Sequence, residues 1–141
     1  MALDGASERV ATARRACVVM VLALLAAACG SSPTSASATT TQTFSGTLAA
    51  HATAVFPFTV AQDGAASLTL TSLSPQTTIT VGLGLGVPST TADCSLLTVY
   101  EAAAVGYVLS GPISAGTYCV AIYDVGNVVV SDNYVLTLTH S

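Results

Sequence analysis

From Phe44 to the end of the chain, apolar and small polar side chains alternate with a period of two, and this rhythm constrains the fold more than any other feature. The clearest runs are Ser67-Leu68-Thr69-Leu70-Thr71, Ile79-Thr80-Val81-Gly82-Leu83-Gly84-Leu85 and Tyr134-Val135-Leu136-Thr137-Leu138-Thr139. Successive residues of a strand point to opposite faces, so each run can send its aliphatic residues into a core while Thr or Gly faces out. An amphipathic helix would instead need apolar residues three and four apart. Glu101-Ala102-Ala103-Ala104 is the one helix-like piece. It is too short to stand alone and is expected to be a loop or a single turn.

The alternation predicts strands over Thr43–Leu48, Thr53–Val60, Ala66–Leu73, Thr77–Leu85, Leu96–Tyr100, Val105–Ser110, Thr117–Asp124 and Tyr134–His140. Gln62-Asp63-Gly64 is a tight-turn signal, because Gly accepts positive φ without a Cβ clash. Ser74-Pro75, Val87-Pro88 and Gly111-Pro112 read as further breaks, and Ala115-Gly116 introduces the seventh strand. About eight short strands at this spacing predict an all-β sandwich or barrel.

The N-terminal segment has a different logic. Arg9, Arg14 and Arg15 precede an apolar run from Ala16 to Ala28, and polar Ser/Thr sequence follows at once. A basic stretch, a short apolar stretch and small residues make an export signal. The run falls short of the roughly 20 apolar residues of a membrane span. Leu25-Ala26-Ala27-Ala28-Cys29 resembles the bacterial lipobox, with Ala26 where leucine is usual. That resemblance implies that Cys29 becomes the acylated first residue of the mature protein; ordinary cleavage after Ala28 is the alternative. Residues 30–43 are rich in Ser, Thr and Ala with no apolar face, and are expected to form a flexible tether. The expected organisation is a signal peptide with its helix over 1–28, a disordered tether over 29–43 and a β-domain over 44–141. The expected location is outside the cytoplasm, anchored by lipid to the bacterial cell envelope.

Only 7% of residues are charged, and no Lys or Arg follows Arg15. The acids beyond it are Asp63, Asp93, Glu101, Asp124 and Asp132, so the exported part carries −5 where the whole chain carries −4. Nucleic-acid binding depends on Lys and Arg neutralising phosphates, so this composition excludes it. Adhesion to anionic lipid by charge is excluded for the same reason.

Cys17 leaves with the signal and Cys29 is assigned to lipid, which leaves Cys94 and Cys119. In an oxidising compartment these two are expected to form a structural disulfide. A metal or redox pair would call for a CxxC spacing or nearby histidine ligands, and the sequence has neither.

Ser110-Gly111-Pro112-Ile113-Ser114-Ala115-Gly116-Thr117-Tyr118-Cys119-Val120-Ala121-Ile122-Tyr123-Asp124, followed by Tyr134-Val135-Leu136-Thr137-Leu138, resembles the end of the bacterial pre-peptidase C-terminal domain family. Phe44-Ser45-Gly46-Thr47-Leu48 and Phe56-Pro57-Phe58-Thr59-Val60 resemble its opening strands. The resemblance implies a jelly-roll-like antiparallel β-sandwich, used as an accessory module of secreted enzymes for targeting, binding or folding. The chain departs from the family in having no acid between Ile79 and Gly86. Some members of that family bind calcium, but their ligands do not map onto this sequence.

Asp124, Asn127 and Asp132 are the weak candidates for a metal site, since oxygen ligands suit calcium. Asp124 and Asn127 more often act as turn formers that bond their own backbone. No cofactor is expected. His51 and His140 read as surface side chains, because no nucleophile elbow or HExxH motif accompanies them. Tyr100, Tyr107, Tyr118, Tyr123 and Tyr134 read mostly as core, with Tyr118 in phase with Val120 and Ile122 and Tyr123 out of phase. The expected function is a non-catalytic, lipid-anchored module that binds an envelope protein or glycan. The alternatives are an accessory domain or subunit of a secreted hydrolase, and a purely structural envelope lipoprotein.

Overall fold

The period-two runs pair into two antiparallel sheets of four strands. The computed structural model describes residues 38–90 and 93–141. The signal segment, Cys29 and the tether as far as Ser37 lie outside the described residues. The strands are β1 (Thr40–Leu48), β2 (Thr53–Val60), β3 (Gly64–Ser74), β4 (Val81–Thr90), β5 (Asp93–Ala103), β6 (Val108–Ile113), β7 (Gly116–Tyr123) and β8 (Asp132–His140). The first sheet runs β1-β8-β3-β6 and the second β2-β7-β4-β5. Every connection crosses between sheets except β4 to β5, a pair within one sheet. This is jelly-roll topology, two Greek keys closed on one core.

The alternation sets the core. Leu68, Leu70, Leu136 and Leu138 enter it from the first sheet, and Phe58, Val60, Leu83, Val120 and Ile122 from the second. Register irregularity between Leu70 and Ser72 inserts an extra residue opposite β8, so Leu73 is buried in the next inward place. Phe44 stacks on Phe56 at 4.8 Å, and Tyr134 meets Phe56 edge-on at 6.3 Å, closing the side of the sandwich where β1 and β2 lie.

Several boundaries differ from the sequence reading, each for a local reason. β1 starts at Thr40, inside the expected tether, because Thr40 to Thr43 pair with Thr137 to His140. β4 is displaced toward the C-terminus and continues through Val87-Pro88 to Thr90. β7 accompanies β4 only as far as Gly86, so Pro88, paired only with Cys94 of β5, faces no strand on its other side. Gly111-Pro112 likewise lies within β6, an edge strand that bonds only β3. Glu101 to Ala103 are not a turn but the end of β5, where Ala103 pairs with Val81.

Candidate functional site

On the outer face of the second sheet, Gly82, Gly84 and Gly86 form a stripe along β4. All three are buried although they point away from the core. The Tyr123 ring lies over Gly82, and the Leu96 side chain lies over Gly84, 2.7 Å from where a Cβ would stand. At Gly86 the backbone of Ser95 takes that place. The start of β5 thus folds onto the back of its own sheet, and Cys94 bridges to Cys119 on β7 with a Cα–Cα distance of 6.0 Å. A formed bridge belongs to an oxidising, extracytoplasmic compartment. Burial of Tyr123, and then the negative charge of Glu101, hold its hydroxyl above the ordinary tyrosine range.

The carboxylates have mainly structural partners. Asp124 Oδ1 accepts the N–H groups of Gly126, Asn127 and Val128, and its Oδ2 accepts that of His51 at 2.8 Å. These bonds, led by the one from His51, lower its pKa to about 2. Asp63 accepts the N–H of Ala115, Asp93 that of Cys94, and Asp132 that of Gln76. Asn127 donates its amide to the carbonyl and hydroxyl of Thr80. Asp124 and Asn127 thus hold turn and loop backbone, with Asp124 half-buried, while Asp132 is fully buried and only its Oδ1 has a hydrogen-bond partner among the described residues. Among the described residues no three His, Cys, Asp or Glu side chains converge.

The histidines separate. His51 occupies the turn beyond Leu48 with φ of 58°, and His140 pairs with Thr40 at the other end of β1. Along that strand the two positions are roughly 25–30 Å apart, so they share no site. His140 is not a surface side chain. It is 4% exposed, its ring lies 5.5 Å from that of Phe58, and its Nδ1 is 2.9 Å from the Ser141 carbonyl. The last strand is held between β1 and β3, which keeps this near-terminal residue from fraying. A groove of about 350 Å³ runs past it, lined by Asp63, Ser67 and Thr139.

The tyrosines divide too. Tyr134 is buried, and its hydroxyl is held above the ordinary range by that burial. Tyr118 faces inward beside Phe58. Tyr100 is exposed rather than core, and its ring stacks on Tyr107 at 4.0 Å. This pair marks the side where the edge strands β5 and β6 lie. Below it the sheets part into a cleft of about 100 Å³ lined by Leu85, Leu97, Leu109, Ile113 and Tyr118. Among the described residues, five of the eight exposed large apolar side chains, Leu97, Val99, Tyr100, Val105 and Val108, belong to this side. The sequence carried the signal in Leu96-Leu97-Thr98-Val99-Tyr100, but a run apolar on both phases reads as a buried strand.

No family model matches the sequence, and no curated protein matches it. Solved structures match the fold. The Yersinia pseudotuberculosis-derived mitogen aligns with a TM-score of 0.55 at 14% identity, over 74% of this chain and 88% of that one. The pre-peptidase C-terminal domain of collagenase from Bacillus anthracis aligns at 0.50 and 20% identity, over 69% and 87%. The periplasmic inhibitor of g-type lysozyme from Aeromonas hydrophila aligns at 0.51 and 9% identity, over 73% and 88%. The chain is thus an all-β module with a sandwich like that of the pre-peptidase C-terminal domain, a likeness of fold.

Proposed function

We propose that this chain is an exported lipoprotein, acylated at Cys29, whose sandwich binds a protein or glycan at the cell envelope and catalyses no reaction. The observation that carries this reading is the apolar surface on the β5–β6 side, an exposure that burial alone would have removed. It is supported by the carboxylates, four of which hold backbone N–H groups and so serve the fold. The lipobox-like Leu25 to Cys29 and the Ser/Thr-rich stretch after it support the anchor and tether. The likeness in fold to a domain of a collagenase favours a second reading, an accessory unit of a secreted hydrolase.

The test is capture from solubilised envelopes by the whole tethered chain. One partner protein retained at stoichiometric yield supports protein binding, retained glycan supports a sugar module, and an empty column leaves a structural lipoprotein. Mass spectrometry of the mature N-terminus checks the anchor, which is wrong if Cys29 is unmodified.

A further inference from the structure

Between β3 and β6 the alternation that fills the core leaves one rung nearly empty. Leu109 belongs to the core and Ile113 packs against it, and Gly111 between them shares their inward phase. On β3 the inward residues include Ala66, Leu68 and Leu70, all buried. Leu68 stands opposite Leu109, but the next inward pair is Ala66 and Gly111. Two of the smallest residues therefore face each other where the neighbouring rung has two leucines. The backbone of Gly111 is not left-handed, so its conformation does not call for glycine. Beyond its chain neighbours, a Cβ at this position would meet no heavy atom within 4 Å. The space left is the cleft of about 100 Å³ between the sheets. Leu109 and Ile113 wall it from the first sheet, and Leu85 and Tyr118 from the second. The exposed residues Leu97, Thr98 and Ser110 stand at its mouth.

We infer that this cleft is a binding pocket for a small neutral amphiphile, with a compact hydrocarbon head seated beside Gly111 and an uncharged polar group at the mouth, where Thr98 and Ser110 carry hydroxyls. This goes beyond the binding of an envelope protein or glycan and does not depend on it. Pockets of this kind, apolar walls with a few polar groups at one end, are the usual form of small-molecule sites.

Volume sets the size of the head. A cavity of about 150 Å³ lined by leucine, isoleucine and phenylalanine stays dry and binds benzene. A somewhat smaller cleft that opens to solvent admits a branched or cyclic group of about four to six carbons, with the rest of the molecule outside. Charge sets the class. No lining residue is charged, so a cation would find no carboxylate there, and the described residues hold no Lys or Arg for an anion. The segment before β1 cannot fill the cleft, because residues 30–39 contain no large apolar side chain. A partner protein could reach between the sheets with only one side chain, whereas a free molecule of this size fits whole.

The probe is cyclohexanol, titrated into the isotope-labelled full chain and followed through its amide resonances. Cyclohexanecarboxylate, the same ring with a charge, is the comparison. Saturable shifts centred on Leu109, Ser110 and Gly111, in about the millimolar range, are expected. The carboxylate should bind roughly tenfold more weakly. Gly111→Leu places a side chain in the open space and should abolish the shifts while raising the melting temperature. Gly111→Ala adds a single methyl, should fold as the unaltered chain does, and should weaken binding by a smaller factor. Absence of saturable shifts, equal binding of the two probes, or shifts unmoved in both variants overturns the pocket. So does a lower melting temperature of both variants, which would mean that the space is already filled. Movement of the same resonances with protein concentration alone would give the cleft to a second copy and overturn the free ligand. An empty capture column, by contrast, removes the envelope-binding reading and leaves the pocket standing.

Discussion

Asp124 draws four backbone N–H groups onto one carboxylate, and the charged form is what those donors stabilise. Its N–H also donates to the Ala52 carbonyl, so one residue ties the end of β7 to the β1–β2 turn. The pKa in the folded protein is about 2, below the ordinary 3.8. The contribution is therefore complete above the ordinary carboxylate range and is lost as pH falls through about 2. Asp124→Asn should lower the denaturant midpoint at neutral pH and leave a shallower loss of stability on acidification, and Asp124→Ala should lower it more. Urea unfolding at several pH values measures both. The turn chemistry of Asp124 was legible in Asp124-Val125-Gly126-Asn127, because it is local. The burial of His140 was not, because it depends on strands from the far side of the sequence.

At the scale of elements, β4 shows how far alternation reaches and where it stops. Val81 and Leu83 enter the core as the pattern requires. The pattern marks Gly82, Gly84 and Gly86 as outward, yet it carries no sign that β5 and Tyr123 cover that outward face. An alanine series separates the three positions. Gly86→Ala meets backbone and should cost about 2–3 kcal/mol. Gly82→Ala meets the Tyr123 ring and should cost less, and Gly84→Ala only displaces the flexible Leu96 side chain. Equal losses across the series would remove the account of β5 folding over the sheet. The disulfide holds the same overlap from the other side. Replacing Cys94 and Cys119 together with alanine opens a closed loop of sequence separation 25, and should cost roughly 3–4 kcal/mol by thermal unfolding. The pairing itself was legible by elimination among the four cysteines, on the expectation that Cys17 leaves with a signal and Cys29 carries lipid.

For the whole molecule, strand number and class were readable from the period of two, but the closed and open sides were not. Phe44 and Phe56 seal one side, while on the other Leu97 and its neighbours are apolar and exposed among the described residues. Which strands become edges is decided by topology, and a single sequence does not encode that locally. The direct measurement is site-specific photo-crosslinking in intact cells, from a photoreactive residue at position 97 or, on the opposite side, at position 47. A discrete adduct to one envelope component from position 97, absent from position 47, is the predicted result. No adduct from position 97, or the same adduct from both positions, would contradict it.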